Sequence, residues 1–311
     1  LLILNLMKIN DMLIRNKNRG KCAFLTISDL SEFECYDHLL IEPMKNNGWE
    51  LSFLPWDKKD IDWNYYDYVI VRSTWDYQSR LNDFIGVLNE IEKSDAMLIN
   101  PIEAIKWNIK KSYLIDLEKR GVSIIPSIFQ KKYDPEVIYD TFNEFDCDKI
   151  ILKPIVGANA SFTELIRESD LKNSQEKLQN NYSNRPFIIQ PFFESVITKG
   201  ELSLIFFNNK LSHGISKIPK MGDFRVQEEH GGIISLVSRV NNNILDFCDK
   251  ILTNLPEICF YARIDLLLEN GSPFLMEVEL IEPSLYFNLK PGSNNFFATE
   301  LVKYLEGTSS R

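Results

Sequence analysis

Two acids stand two residues apart in an otherwise apolar run, Leu275-Met-Glu277-Val-Glu279-Leu-Ile281. In a strand alternate side chains share a face, so Glu277 and Glu279 point the same way. Their apolar neighbours say that this strand is not a solvated surface element. Upstream, Phe260 to Leu268 is a second strand-like run, and Asn270-Gly271 between the two is a turn signal. The two runs therefore form a hairpin, with Arg263-Ile-Asp265 in its first arm. Its register decides whether Asp265 joins the glutamates. A two-residue turn pairs Glu269 with Ser272 and sets Asp265 opposite Met276, on the wrong face. A three-residue loop pairs Glu269 with Pro273 and sets Asp265 opposite Glu277, with Gly271 at the left-handed position such a loop requires. Three crowded carboxylates repel unless a cation lies among them or some stay protonated. If they act together, the longer loop is expected.

The rest of the chain is compatible with a large enzyme core. It has 311 residues, of which 44% are hydrophobic and 25% charged, enough for two or three subdomains. The net charge of -9 argues against a nucleic-acid partner, and no basic run is long enough for a membrane patch. Cys22, Cys35, Cys147, Cys248 and Cys259 are widely spaced and make no Cys-x-x-Cys, which points to a reduced, cytoplasmic setting and away from zinc. His38, His213 and His230 make no His-Glu-x-x-His; His213 and His230 read as structural. Residues 1–20 read as an extension with little structure. Their short apolar start precedes the basic residues, the reverse of a signal peptide.

Strands and helices alternate through the first third. Cys22 to Ile27, Trp49 to Pro55, Tyr68 to Arg72 and Met97 to Pro101 read as strands, with helices at Tyr36 to Asn47 and Leu81 to Ile91. The unbroken apolar run at Tyr68 suits a strand buried on both faces, hence a mostly parallel sheet. There is no Gly-x-Gly-x-x-Gly. Trp107 to Arg120 reads as one helix. Ile124-Ile125, Lys149 to Lys153 and Phe187 to Pro191 read as strands, and Asn173 to Arg185 as a helix end and loop. From Glu201 the pattern is antiparallel, with hairpins through Asn208-Asn209 and Asn270-Gly271, helices at Ile244 to Leu252 and Asn295 to Leu305, and a glycine-punctuated loop Lys217 to Gly232 between them.

Several segments, in this order and spacing, carry a family resemblance. They are Val71-Arg-Ser-Thr-Trp-Asp-Tyr77, Trp107-Asn108 with Lys111 to Leu114, Leu152-Lys-Pro154, Gln190-Pro-Phe192 with Gly200-Glu201, Lys217 to Gly232, and Arg263 to Asp265 with Glu277 to Ser284. From about Lys21 to Tyr304 the chain resembles the ATP-grasp superfamily, in the branch of prokaryotic glutathione synthetase and RimK-type ligases. The resemblance implies an α/β plus α+β fold. An N-terminal parallel-sheet domain over 21–104 would carry substrate. A lid subdomain with its linker helix would span 105–190, and a C-terminal antiparallel-sheet catalytic subdomain 191–311. It implies ATP and Mg²⁺ (Mn²⁺ able to substitute), an acyl phosphate made from a small amino-acid-like acid, and C–N ligation that is either intramolecular or joins two molecules. A kinase-like phosphotransferase and a non-catalytic ATP-binding module are the rivals. The partner is a small molecule, with no nucleic acid and no membrane; a homodimer stays open.

By the same resemblance, Lys111 and Lys153 hold the α- and β-phosphates under a loop containing Gly157 and Ser161. Gln190, Phe192 and Phe193 border the adenine, and Glu201 takes the ribose hydroxyls. Asp265, Glu277 and Glu279 hold the metal, while Arg225, Arg263 and Lys217 serve the chemistry. The family's metal motif often ends in Asn where this chain has Glu279, and its phosphate loop often holds several glycines where this one has only Gly157.

Physical chemistry supplies competing readings. Lys153 ends an apolar strand, where burial without a partner is expensive; either phosphate or snorkelling to water answers that. Lys110 and Lys111 point about 100° apart on a helix, so one of them faces the cleft. Arg225 and Arg263 can fork onto phosphate or pair with neighbouring acids. Arg72, Ser73 and Asp76 follow a buried strand, where α/β sheets place ligands. Arg72 would take a substrate carboxylate and Asp76 an amino group, or the two pair with each other while Trp75 plugs a seam. Glu282 and Ser284 would face the acceptor.

Overall fold

The computed structural model of the chain describes residues 19–308. The expected extension therefore lies outside the described residues except at its end, where Gly20 already begins the first strand.

The N-terminal sheet contains β1 (Gly20–Thr26), β2 (Trp49–Pro55), β3 (Tyr68–Ser73) and β4 (Met97–Ile99), all parallel, in the order β2-β1-β3-β4. Helix α1 (Ile41–Asn46), entered through a 3-10 turn over Asp37–Leu40, joins β1 to β2, and α2 (Leu81–Glu92) joins β3 to β4. The unbroken apolar runs have a simple cause. Ala23, Leu25, Val69 and Val71 pack on Phe84 and Leu88 of α2, while Cys22, Phe24 and Ile70 pack on Phe207, Phe260 and Phe297 from the C-terminal half. Both faces are covered. The chain leaves β1 in one direction across the sheet and β3 in the other. Their carboxyl ends thus form the switch point where open α/β sheets bind ligands.

The helix expected over Trp107 to Arg120 is two helices, α3 (Ile102–Asn108) and α4 (Tyr113–Lys119). At the break the Lys111 N–H donates to Ile155 O at 2.8 Å, so the backbone is tied to another element rather than to its own helix. The break buries Lys111 and leaves Lys110 exposed.

A second sheet holds β5 (Ile128–Gln130), β6 (Lys149–Pro154), β7 (Glu164–Arg167) and β8 (Phe187–Pro191), antiparallel in the order β5-β8-β6-β7. Helices α5 (Pro135–Phe145) and α6 (Leu171–Tyr182) cover it. Helix α5 is set by local chemistry: Asp134 caps it through the Glu136 N–H, and Pro135 fills its first turn. The polar stretch read as helix end and loop is helical in α6 as far as Tyr182, with only its last three residues in a turn, because Leu171, Leu178 and Tyr182 suffice to dock it. Ile124-Ile125 is not a full strand; it bridges Leu275 at the edge of the last hairpin.

The third sheet follows the short helix α7 (Ser195–Thr198). It contains β9 (Glu201–Phe207), β10 (Lys210–Ile218), β11 (Ile233–Val237), β12 (Tyr261–Glu269) and β13 (Ser272–Glu279), antiparallel in the order β11-β10-β9-β12-β13. Helices α8 (Asn242–Thr253) and α9 (Ser293–Thr308) accompany it. Among the described residues no helix is long and apolar enough to cross a membrane.

The β12–β13 register corrects one expectation while satisfying its purpose. The turn is the two-residue one: Asn270 and Gly271 have φ of 50° and 84°, and Glu269 pairs with Ser272. Yet Asp265 pairs with Glu277 and Arg263 with Glu279, because the register shifts between Asp265 and Leu266. Leu266 faces Leu275, so Met276 is the extra residue of a β-bulge. The bulge, not a longer loop, returns the acids to one face.

Candidate active site

A cleft of about 260 Å³ opens where the three sheets meet. Lys111, Lys153, Gly157, Ser161, Gln190, Phe192, Phe193, Glu201, Lys217, Arg225, Arg263, Asp265, Glu277, Glu279, Glu282 and Ser284 all line it. These residues come from segments between Lys111 and Ser284, and the fold brings them to one place.

Their electrostatics are strongly paired at the inner wall. Lys111 ion-pairs with Glu277. Arg263 donates to Asp265 at 2.9 Å and to Glu279. Lys217 donates to Glu201 at 2.7 Å and lies 3.7 Å from Asp265. Ser203, one strand over on β9, also donates to Asp265. One guanidinium thus serves two acids. Burial opposes ionisation of Asp265, but Arg263 and Lys217 hold its carboxyl well below the usual range. Glu279 is pushed the other way: burial dominates, Asp265 and Glu277 add to it, Arg263 opposes it, and the carboxyl sits at about 8. Glu282 rises to about 7, from burial and then Glu277.

Surplus negative charge that burial forces onto protons is the condition a cation relieves. Mg²⁺ takes oxygen ligands, commonly one or two carboxylates with phosphate and water. Glu277 and Glu279 keep 29% and 26% of their side chains exposed, whereas Asp265 keeps 5%. Among the described residues no three ligand side chains converge on a ready-made metal cage. The donor set fits a hard cation whose shell phosphate oxygens would complete.

The opposite wall is sparse. Lys153 is half-buried at the end of β6, and among the described residues it makes no ion pair or side-chain hydrogen bond. Desolvation lowers it to about 8. Beyond it, Asn159, Ala160 and Phe162 hold φ of 51°, 54° and 56°, so side-chain-bearing residues take the left-handed turns that glycines would take at less cost. Gln190 donates to Ser127 at 2.9 Å. The Phe192 N–H is spent on Lys149 O at 2.9 Å. Arg225 forks onto Asp223, with its closest contact at 2.7 Å, and is partly exposed.

Three expected substrate residues do not line the cleft. Arg72 is buried and donates to Asp37 at 2.8 Å; it pairs neither with a ligand-facing group nor with Asp76. Ser73 donates to Thr26 at 2.9 Å. Asp76 accepts from Trp56 Nε1 and from Arg80. The strand end points Arg72 and Ser73 into the protein, Asp76 turns to its partly exposed pair with Arg80, and Trp75 reaches the cleft instead. Sequence reasoning missed Phe33, Glu34, Tyr77, Glu228 and Tyr286, which also line it. Phe33 and Glu34 follow β1 as Trp75 follows β3. The order of strands would have located them, but strand order is not written in any one segment.

Residues 22–100 match the family model of the D-cycloserine synthetase DcsG N-terminal domain. Cycloserine biosynthesis protein DcsG of Streptomyces lavendulae is 26% identical over 289 residues, covering 86% of this chain and 93% of that protein. The crystal structure of D-cycloserine synthetase DcsG superposes with a TM-score of 0.80 at 24% identity, over 92% of this chain and 100% of that one. D-alanine–D-alanine ligase from Bacillus anthracis complexed with ATP gives 0.67 at 16% identity, over 92% and 96%. Sequence and fold point the same way, and the chain is an ATP-grasp ligase related to D-cycloserine synthetase.

Proposed function

We propose that the cleft binds Mg·ATP and converts the carboxylate of a small amino-acid-like substrate to an acyl phosphate, which a nitrogen nucleophile then resolves into a C–N bond. The observation that carries this reading is the asymmetry of the cleft. Among the described residues Lys153 is a cation lacking a counter-ion, opposite a wall where carboxylates outnumber their cations. A polyphosphate with its metal supplies both missing partners.

In this reading Lys111 and Lys153 take phosphate oxygens, and Glu201 faces the ribose. Among the described residues the Phe193 N–H, unlike that of Phe192, has no backbone hydrogen-bond partner and could meet the adenine edge beside Gln190. Asp265, Glu277 and Glu279 would hold Mg²⁺, whose charge offsets that developing on the transferring phosphoryl group. Arg225 would leave Asp223 for that group, as Arg263 and Lys217 keep Asp265 behind it ionised. Glu282 and Ser284 line the acceptor end. The nitrogen lies in the same molecule, as cyclisation in the cycloserine-forming relative suggests, or in a second one.

The test is ADP release from Mg·ATP with a pool of amino acids and amines, followed by product mass. A new C–N bond with free phosphate is expected. A phosphorylated product with no C–N bond would make the enzyme a phosphotransferase instead.

A further inference from the structure

Five acids line the inner cleft: Glu201, Asp265, Glu277, Glu279 and Glu282. Four of them are ion-paired, to Lys217, to Arg263 with Lys217, to Lys111 and to Arg263 respectively. Among the described residues Glu282 has no lysine or arginine partner. Neutral donors hold it instead: Gln78 Nε2 reaches its Oε1 at 3.0 Å, and the Tyr77 hydroxyl lies against the same carboxyl.

The backbone around Glu282 is fixed with unusual completeness. Five consecutive carbonyls each accept from a side chain: Leu280 O from Asn100 at 2.7 Å, Ile281 O from Tyr261 at 2.7 Å, Glu282 O from Trp75 at 2.9 Å, Pro283 O from Arg72 at 3.1 Å, and Ser284 O from Arg263 at 3.2 Å. This segment is neither helix nor strand, so its carbonyls would otherwise be unpaired. The clamp also accounts for the Arg72-to-Tyr77 motif, which the substrate reading did not absorb. Arg72, Trp75, Tyr77 and Gln78 all act on this one segment.

A clamped carboxylate that faces the cleft and is free of ion pairs has a chemical use. Pairing with a cation commits an acid's lone pairs and lowers its basicity; Glu282, held by neutral donors, loses less of both. We propose that Glu282 is the base that takes the proton from the attacking nitrogen, with Arg72, Trp75 and Gln78 as the residues that position it. The proposal rests on the ligase reading above. In the step, the nitrogen lone pair forms a bond to the carbonyl carbon of the acyl phosphate. The bond from that carbon to the phosphate oxygen breaks, its electrons leaving with inorganic phosphate, and the N–H proton passes to the Glu282 carboxylate and then to water. Acyl phosphate formation itself needs no such base.

That division gives the test. The full chain is incubated with Mg·ATP and the proteinogenic amino acids with their enantiomers. Two products are followed: the hydroxamate formed when hydroxylamine traps the acyl phosphate, and the C–N product formed without it. Hydroxylamine is already neutral near pH 7 and needs no enzymic base. Glu282→Gln, nearly isosteric, should keep Mg·ATP affinity and hydroxamate yield while losing C–N product formation by about 10²-fold or more. Trp75→Phe, which removes one positioning donor, should lower the same step alone, by about tenfold. Equal loss of both products in Glu282→Gln, at unchanged Mg·ATP affinity, would overturn the proposal and place Glu282 in acid binding. Retention of both would overturn it as well. A wild-type enzyme that forms neither product counts against the amino-acid-like acid of the reading above and removes the ground for this one.

Discussion

The two walls of the cleft solve opposite problems. On the β12–β13 side, among the described residues, every acid that lines the inner cleft except Glu282 is held by a cation, and a bulge sets the register. On the β6 side Lys153 has no partner among the described residues, and three non-glycine residues of the loop behind it sit at positive φ. One wall is assembled by folding; the other becomes satisfied only when something binds. Lids are commonly built this way, because an element that closes must not be fully stabilised in the open state.

The largest effect should come from breaking the assembled wall. Arg263→Met removes the cation that Asp265 and Glu279 share. Removing one partner of a buried ion pair costs about 3–5 kcal/mol, so the variant should melt far below the wild type or fail to unfold cooperatively by circular dichroism and heat. A variant that melts normally would mean that these pairs do not assemble the wall.

Arg225 also lines the cleft, and among the described residues its one ion pair is with Asp223. Arg225→Ala should lower turnover by about 10²–10³ with little change in melting temperature, as expected of an electrostatic group on the transferring phosphoryl. Arg225→Lys should rescue poorly, since a point charge does not replace a fork. Full turnover with a lowered melting temperature would make Arg225 a structural residue.

Lys153→Met sharpens the contrast, because it should weaken ATP binding and yet stabilise the fold. The lysine's charged form is disfavoured on folding, from 10.5 to about 8. Its cost is therefore fully present below pH 8 and is relieved as pH rises from about 8 to 10.5. At about 1.4 kcal/mol per pH unit the upper bound is roughly 3 kcal/mol. The melting-temperature gain of Lys153→Met should be largest at pH 7 and vanish by pH 10.5. A gain that persists at high pH would show that packing, not charge, is responsible.

The smallest effect belongs to the loop. Ala160→Gly should relieve about 1 kcal/mol of left-handed strain, less the added freedom of the unfolded chain. A rise of no more than a few degrees in melting temperature is expected, and a fall would show that the φ at Ala160 carries no strain.

The elements were legible in the sequence where they depend on neighbours along the chain. Parity put Glu277 and Glu279 on one face, the apolar run at Tyr68 announced a strand covered on both sides, and Asn208-Asn209 marked its hairpin. The polar surface of α6 hid three docking residues because so few are needed. The break at Lys111 was invisible, since its cause is Ile155 O, more than forty residues away. Resemblance named the residues of the cleft, and their charge types alone suggested phosphate and metal. Only the tertiary structure decided which acids are paired, that Arg72 turns inward to Asp37 and Pro283, and that Asp265 reaches Glu277 by a bulge. The physical reason is range: strand parity and turn chemistry act within a few residues, whereas ion pairs, clamped carbonyls and desolvation depend on which distant segments meet.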